Sequence, residues 1–284
     1  MMRNDFAIFI LSHGRADNIK TLQTLKSCNY TGPYYIIIDN EDNQEELYYK
    51  NFGNKIIKFD KKDIANRYDT ADTFNDRRTI FYARNACFEI AKKLGIKYFL
   101  ELDDDYTSFL LRYISKDGKL RSKPVTKFDN LVDYMIEFLD NTKALSVAFA
   151  QGGDLIGGAE SGSFKEQIKR KAMNSFFCKV DNPFQFYGRV NEDVNTYTLL
   201  GTQGKLFFTI MKIALTQTAT QSNKGGMTGT YLDNGTYVKS FYSILYAPSC
   251  VKISVMGSTN PRIHHRVQWN NCTPKIINER FKKK

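Results

Sequence analysis

Phe6-Ala7-Ile8-Phe9-Ile10-Leu11, closed by Ser12-His13-Gly14-Arg15, is the stretch whose reading decides the fold. Six apolar residues in a row, without the alternation of a half-buried strand, predict a strand covered on both faces, as in a parallel sheet wrapped by helices. Downstream, Ile19, Leu22 and Leu25 recur at helical spacing, with Asp17 as the expected N-cap. Residues 34–38 read as a second strand ending in Asp39-Asn40. An acidic helix over 45–50, a short strand at 55–59 and a polar stretch over 60–76 follow. Residues 79–94 set Ile80, Ala83, Cys87, Ile90 and Leu94 on one helical face, stop at Gly95 and lead into a strand at 97–102. This alternation predicts an α/β fold with a parallel sheet and right-handed crossovers. Ligands of such sheets gather at the carboxyl ends of the strands, so Ser12, Asp39 and Asp103 are expected along one rim.

The second half is less regular. A helix is predicted over 129–140 and strands over 144–150 and 174–180, with the glycine-rich loop Gln151-Gly152-Gly153-Asp154-Leu155-Ile156-Gly157-Gly158 between them. Lys224-Gly225-Gly226-Met227-Thr228-Gly229 reads either as a mobile loop near a phosphate-bearing ligand or as a plain connection. At 284 residues the chain suits one compact domain, 1–284, with a regular α/β half over 1–106 and a less regular half over 107–284.

Chemistry concentrates where the fourth strand ends, at Glu101-Leu102-Asp103-Asp104-Asp105. Three carboxylates at one sheet edge repel each other unless a cation is present. Asp-x-Asp spacing lets Asp103 and Asp105 straddle one hard divalent cation whose open positions take diphosphate oxygens. A solvated acidic turn is the plainer alternative. No GK[ST] phosphate loop points to nucleoside triphosphate hydrolysis. A second cluster, Arg189-Val190-Asn191-Glu192-Asp193-Val194-Asn195, sets two carboxylates ahead of a predicted helix. Either Glu192 or Asp193 is a candidate base for an acceptor hydroxyl, or both simply answer the helix dipole. Asp154 competes for the same role. Two of the three histidines, His264 and His265, are adjacent; if their segment is extended they point to opposite sides, so one of the two could face a metal. Arg77, Arg78 and Arg84, with Asn85, surround the helix that precedes the acidic strand and offer guanidinium forks to phosphate. For Arg77, plain solvation is the alternative. Phe186, Tyr187 and Trp269 are candidates for stacking on a base or, more simply, for core packing.

Lys and Arg number 41 against 30 acidic residues, a net charge of +11, which fits either a polyanionic partner or a lysine-rich compositional bias. Five scattered cysteines without CxxC spacing read as reduced thiols of a cytosol-like compartment. No 18-residue apolar stretch or signal-peptide core is present, so no membrane association is expected.

Taken in order, Ser12-His13-Gly14-Arg15, Ala83-Arg84-Asn85, Asp103-Asp104-Asp105 and Asn191-Glu192-Asp193 resemble the motifs of A-type (GT-A) glycosyltransferases. More narrowly, Arg78-Thr79-Ile80 with Tyr82-Ala83-Arg84-Asn85-Ala86-Cys87, followed by Phe99-Leu100-Glu101-Leu102-Asp103-Asp104-Asp105-Tyr106, resembles the phage TET-associated glycosyltransferases. That family is associated with sugar attachment to 5-hydroxymethylpyrimidines in DNA. The resemblance spans about Phe6 to Arg280 and is strongest up to Tyr106. It implies a GT-A-like, Rossmann-type nucleotide-sugar-binding sheet flanked by helices. It further implies Asp103 and Asp105 as ligands of Mg²⁺ or Mn²⁺ or of the diphosphate, Asp104 near ribose or phosphate, and one of His264 and His265 as the remaining metal ligand. Ser12, Arg15, Asp39 and Arg84 correspond to donor-nucleotide contacts and Asp193 to the base, which implies inversion. The expected reaction moves a sugar from a UDP-sugar to 5-hydroxymethylcytosine or 5-hydroxymethyluracil in DNA, in the cytoplasm, the host's if the chain is phage-encoded. Two other readings stand beside it: a sugar-nucleotide nucleotidyltransferase, and a non-catalytic basic DNA-binding protein.

Overall fold

The computed structural model describes residues 3–218, 228–235, 237–257 and 261–272. In chain order the elements are β1 (Phe6–Leu11), α1 (Lys20–Ser27), β2 (Tyr34–Asp39), α2 (Glu45–Phe52), β3 (Ile56–Phe59), α3 (Lys61–Arg67), α4 (Phe81–Lys93) and β4 (Tyr98–Asp103). Then come β5 (Tyr106–Ile114), β6 (Leu120–Pro124), α5 (Phe128–Thr142), β7 (Ser146–Ala150), α6 (Gly162–Glu166), β8 (Ile168–Lys169), β9 (Phe176–Lys179) and α7 (Glu192–Thr202). The chain continues through β10 (Phe207–Gln217), α8 (Thr228–Asn234), α9 (Val238–Tyr246), β11 (Val251–Met256), β12 (Arg262–Val267) and α10 (Trp269–Cys272).

One mixed sheet runs β3-β2-β1-β4-β9-β7-β10-β5-β6, with β8 also paired to β10. Its first four strands are parallel, and the register Leu11↔Asp103 puts the carboxyl ends of β1 and β4 level. The α/β expectation therefore holds, and Ser12, Asp39 and Asp103 do share one rim. The unbroken apolar run of β1 is explained by its neighbours. Phe6, Ile8 and Ile10 enter a core with Leu25, Val132 and Met135 on one face, whereas Ala7, Phe9 and Leu11 enter another with Phe81, Phe88 and Val194.

Elements α1, α3 and β10 are among those that depart from the sequence reading, which also placed no strand at β5 or β6. Helix α1 begins at Lys20, not after Asp17, and its N-cap, Ile19, provides no side-chain bond. The Asp104 carbonyl instead accepts from the Thr21 N–H at 3.1 Å, so a neighbouring turn does the work of a cap, and Asp17 accepts from Asn51. The polar stretch over 60–76 contains α3, capped by Asp60 through the Asp63 N–H at 2.8 Å. Only Ile64 and Ala65 interrupt its polar sequence, too few to mark a helical face. Strand β10, 11 residues long, occupies a segment for which no element was predicted. Of the glycine segment at 224–229, residues 224–227 lie outside the described residues, and Thr228-Gly229 open α8. Among the described residues no helix is long and apolar enough to cross a membrane, and all five cysteines are buried free thiols.

Gly188, in the connection before α7, has φ of +74°, and a Cβ there would lie 2.6 Å from Asn195 Nδ2 and 2.7 Å from the Tyr246 ring. Its N–H donates to the Asp69 carbonyl at 2.9 Å, so the connection cannot relax freely. Gly188→Ala is expected to lower stability by about 2 kcal/mol or more, read by denaturant unfolding.

Candidate active site

The rim is built on the turn between β4 and β5. Thr21 Oγ1 donates to the Asp103 carbonyl at 2.6 Å and accepts the Tyr106 N–H at 3.0 Å, which clamps the acidic turn onto α1. Asp104 points inward, accepting from Ser12 Oγ at 2.6 Å on one oxygen and from Arg15 Nη1 at 2.5 Å on the other. Ser12 is in turn 2.7 Å from the Tyr48 hydroxyl, which accepts the Arg15 N–H. Ser12, Arg15 and Asp104 therefore form one buried knot that fixes the β1 turn against the β4 turn. Asp104, at 3% exposure, does not face the rim's solvent side.

Beside the knot lies a cleft of about 420 Å³ lined by His13, Glu41, Lys61, Asn75, Asp76, Arg77 and Arg78. Buried Asp39 holds three of its lining residues in place. Its Oδ2 is 2.8 Å from His13 Nδ1 and 3.0 Å from Lys61 Nζ, and its Oδ1 accepts the Glu41 N–H at 3.0 Å. Burial would raise the Asp39 pKa, but His13 and Lys61 outweigh it and hold the carboxyl below its ordinary value. Arg77 pairs with Glu41 at 2.7 Å, and Arg78 with Asp76 at 2.9 Å and with Asp233 of α8 at 2.7 Å. Arg77, Arg78 and Lys61 line the cleft together with Glu41 and Asp76, so the cleft offers an anionic ligand guanidinium and ammonium groups that are now held by acids. His13 and Lys61 were not among the sequence candidates; the Ser-His-Gly-Arg turn contained the first, but nothing local marked the second.

Arg84 occupies a different place from the one expected of it. The resemblance made it a nucleotide contact; the structure puts it inside the protein, 2% exposed, with every branch of its guanidinium engaged. Nε reaches Glu192 Oε1 at 2.9 Å, Nη1 reaches Glu101 Oε2 at 3.4 Å and Nη2 reaches Asp103 Oδ1 at 3.1 Å, while the plane lies 4.7 Å from the Phe176 ring centroid. The side chain enters from α4 between β4 and the start of α7, where three acids converge on it. Its neighbour Asn85 bonds both backbone groups of Phe186 and so anchors the connection leading to α7.

One guanidinium cannot neutralise this many acids. Burial pushes Glu101 up to about 8 in spite of Arg84. Burial also lifts Asp103, up to about 7, with repulsion from Asp105 and Asp104 adding to it. Glu192 and Asp193 open α7 behind Asn191, which is left-handed at φ +61°; both are raised by burial, and Glu192 further by its neighbour's charge. Asp193 accepts the Val194 N–H at 2.7 Å and feels Lys171 and Lys239. Asp154 is the opposite case. Lys171 at 2.6 Å, Lys169 at 3.0 Å and the Gln151 N–H at 3.1 Å overcome its burial and lower its pKa.

Asp103 and Asp105 fit a hard cation. Both are oxygen donors at the open rim, each raises the other's pKa or is raised by their shared neighbour Asp104, and among the described residues no Lys or Arg pairs with Asp105. The histidine pair does not complete the set. Among the described residues no three His, Cys, Asp or Glu side chains gather closely enough to hold a metal. His264 and His265 belong to the β11–β12 hairpin, which is separate from the main sheet. The segment is extended, as supposed, yet the two rings do not face apart: their centroids are 4.2 Å from each other. Burial and the charges of His264, Lys239 and Lys171 push His265 down to about 3.

Arg189, quoted in the second acidic cluster but given no role, ties the loop bearing the cleft to α9. Its guanidinium meets Asp72 at 2.7 Å and Asp76 at 3.2 Å, and Asp72 also bonds the Tyr242 hydroxyl. The aromatic candidates pack internally: Phe186 against Phe176, Tyr187 against Tyr246 and Trp269 against Tyr197.

The acidic rim, the mixed-charge cleft beside it and the acids joined through buried Arg84 make up the candidate site. The chain belongs to the TET-associated glycosyltransferase family, whose sequence pattern matches residues 6–226. No curated protein matches it significantly. Similar solved structures include glucosyl-3-phosphoglycerate synthase from Mycobacterium tuberculosis in complex with Mg²⁺ and UDP, at 8% identity and TM-score 0.47, covering 92% of this chain and 87% of that one. The same enzyme with Mn²⁺, UDP and phosphoglyceric acid is 7% identical, with TM-score 0.45 and coverage of 93% and 90%.

Two outcomes follow for stability. Arg84→Ala strips the counterion from three acids and is expected to cost about 3–5 kcal/mol in denaturant unfolding, whereas Glu101→Gln, which mimics a carboxyl already held neutral, should cost far less. The acids also set a pH slope. Glu101 and Asp103 keep a proton in the folded state that the unfolded chain releases, so their contribution is present at low pH and lost as pH rises through about 7 to 8. His265, depressed to about 3, acts oppositely, but only below its ordinary pKa of about 6.5. Between about pH 6.5 and pH 8 the melting temperature in EDTA is therefore expected to fall, and Mg²⁺ or Mn²⁺ to restore part of it at the upper end. A level or rising melting temperature would contradict the assignment.

Proposed function

We propose that this glycosyltransferase moves a sugar from a UDP-sugar onto the hydroxymethyl group of a modified pyrimidine in DNA, 5-hydroxymethylcytosine or 5-hydroxymethyluracil. The observation that carries the reading is the pairing of two unlike acidic centres through Arg84: the half-buried rim carboxylates Asp103 and Asp105 on one side and, next to its partner Glu192, Asp193 with its raised pKa on the other. Asp103 and Asp105 would hold Mg²⁺ or Mn²⁺, which would bind the diphosphate and neutralise the charge on the leaving group. Arg77, Arg78 and Lys61 line the cleft beside them and suit the donor's phosphates and nucleoside. The family's association with hydroxymethylpyrimidines and the net charge of +11 support DNA as the acceptor.

In this reading the Asp193 carboxylate takes the proton of the acceptor hydroxyl as its oxygen forms a bond to the anomeric carbon. The bond from that carbon to the diphosphate oxygen breaks, and the electron pair leaves with UDP. A single displacement inverts the anomeric centre. Burial raises the Asp193 pKa and so its basicity, whereas the lysines that engage Asp154 lower its pKa, which favours Asp193 as the base. Glu192 is committed to Arg84 and positions the start of α7. One catalytic domain over 1–284, with donor binding in 1–106 and acceptor and base in 107–284, is consistent with a sheet that draws strands from both parts.

Incubating the full chain with UDP-sugars and hydroxymethylated DNA is expected to release UDP and leave sugar on the nucleoside. Release of inorganic diphosphate would mean nucleotidyl transfer instead. Asp103→Ala or Asp105→Ala should weaken cation-dependent UDP binding by calorimetry. Asp193→Asn should spare that binding and lower kcat by about 10²- to 10⁴-fold.

A further inference from the structure

The hairpin β11–β12 is a two-stranded ribbon outside the main sheet. Its odd-numbered residues lose burial along its length, from Val251 at 1% exposure to Val255 at 68%, so the ribbon stands away from the body. On the other face Lys252 lies directly opposite Arg266 in the antiparallel register, and both are exposed. Like charges facing each other across a ladder are destabilising, and among the described residues no acid pairs with either. Between 228 and 272 the sequence carries Lys239, Lys252, Arg262 and Arg266 against the single acid Asp233. The ribbon packs on α9, and α9 packs on α7, whose first turn holds Asp193.

We infer that the β11–β12 ribbon is the element that engages duplex DNA, entering the major groove with Lys252 and Arg266 against the phosphates. This rests on the DNA-acceptor reading above and extends it. The major groove is wide enough for a two-stranded ribbon, and it is where a pyrimidine 5-substituent protrudes. A cationic face that is costly in the free protein becomes favourable against a polyanion, through release of condensed counterions. Through α9 the ribbon is attached to α7, whose first turn carries the proposed base.

The test compares the wild-type full chain with Lys252→Gln/Arg266→Gln and Lys252→Glu/Arg266→Glu, using a fluorescein-labelled duplex in anisotropy titrations across a range of salt. The glutamine pair is expected to bind duplex about tenfold or more weakly, with a salt slope reduced by about 2, and the glutamate pair to bind more weakly still. KM for DNA should rise, whereas cation-dependent UDP binding, which reports folding, should match wild type. Wild type should prefer duplex to single strands of the same sequence. Unchanged duplex affinity in both variants, or equal affinity for single strands, overturns the inference, as does a change confined to self-association in sedimentation. If wild type binds duplex through these residues but transfers no sugar to it, the ribbon assignment stands and the acceptor reading fails. If transfer proceeds and both variants bind as wild type does, the reverse holds.

Discussion

Arg84 is the constraint on which the rest of the site depends. A guanidinium with 2% exposure has to be paired, and here it is paired three times, to Glu101 and Asp103 on β4 and to Glu192 on α7. These partners lie about 90 residues apart in sequence, so one side chain sets the distance between the acidic rim and the start of α7. Phe176 stacks beneath it from β9, the strand that changes the sheet from parallel to antiparallel. The position where the sheet changes direction is thus also where the two acidic centres are joined.

The carboxylates around this arginine divide by how well they are compensated. Asp39 and Asp154 each have at least two donors within hydrogen-bonding distance, which hold their pKa values down, and they fix turns in place; Asp104 has two donors as well, but its burial keeps its pKa raised. Asp103, Asp105 and Asp193 lie close to other acids with too little positive charge to serve them all, and their pKa values are raised. Structural acids are those whose charge the fold has already answered. The proposed working acids are those left for a cation, a diphosphate or a proton to answer.

Much of this was legible from residues. The apolar run of β1 predicted a strand covered on both faces, and strand ends at Ser12, Asp39 and Asp103 predicted a shared rim, because parallel topology leaves little choice. The acidic turn was equally plain. What local pattern could not show was direction. Asp104 and Arg84 sit in the motifs expected to touch the donor, yet both turn inward, because their partners come from α7 and the β1 turn, far off in sequence. Lys61 and His13 escaped for the same reason: they meet only because Asp39 ends the strand between them. The histidine pair shows the limit of reasoning from strand pleat, since His264 and His265 are in a strand but their rings meet.

The most direct test of the two-centre account is anomalous scattering from crystals of the full chain grown with Mn²⁺ and UDP. The account predicts one manganese peak at the sheet rim, about 2.1–2.2 Å from carboxylate oxygens of both Asp103 and Asp105 and bridging to the diphosphate, with Arg84 still bound to Glu192. A peak held by other residues, or UDP bound with no manganese at Asp103 and Asp105, would contradict it.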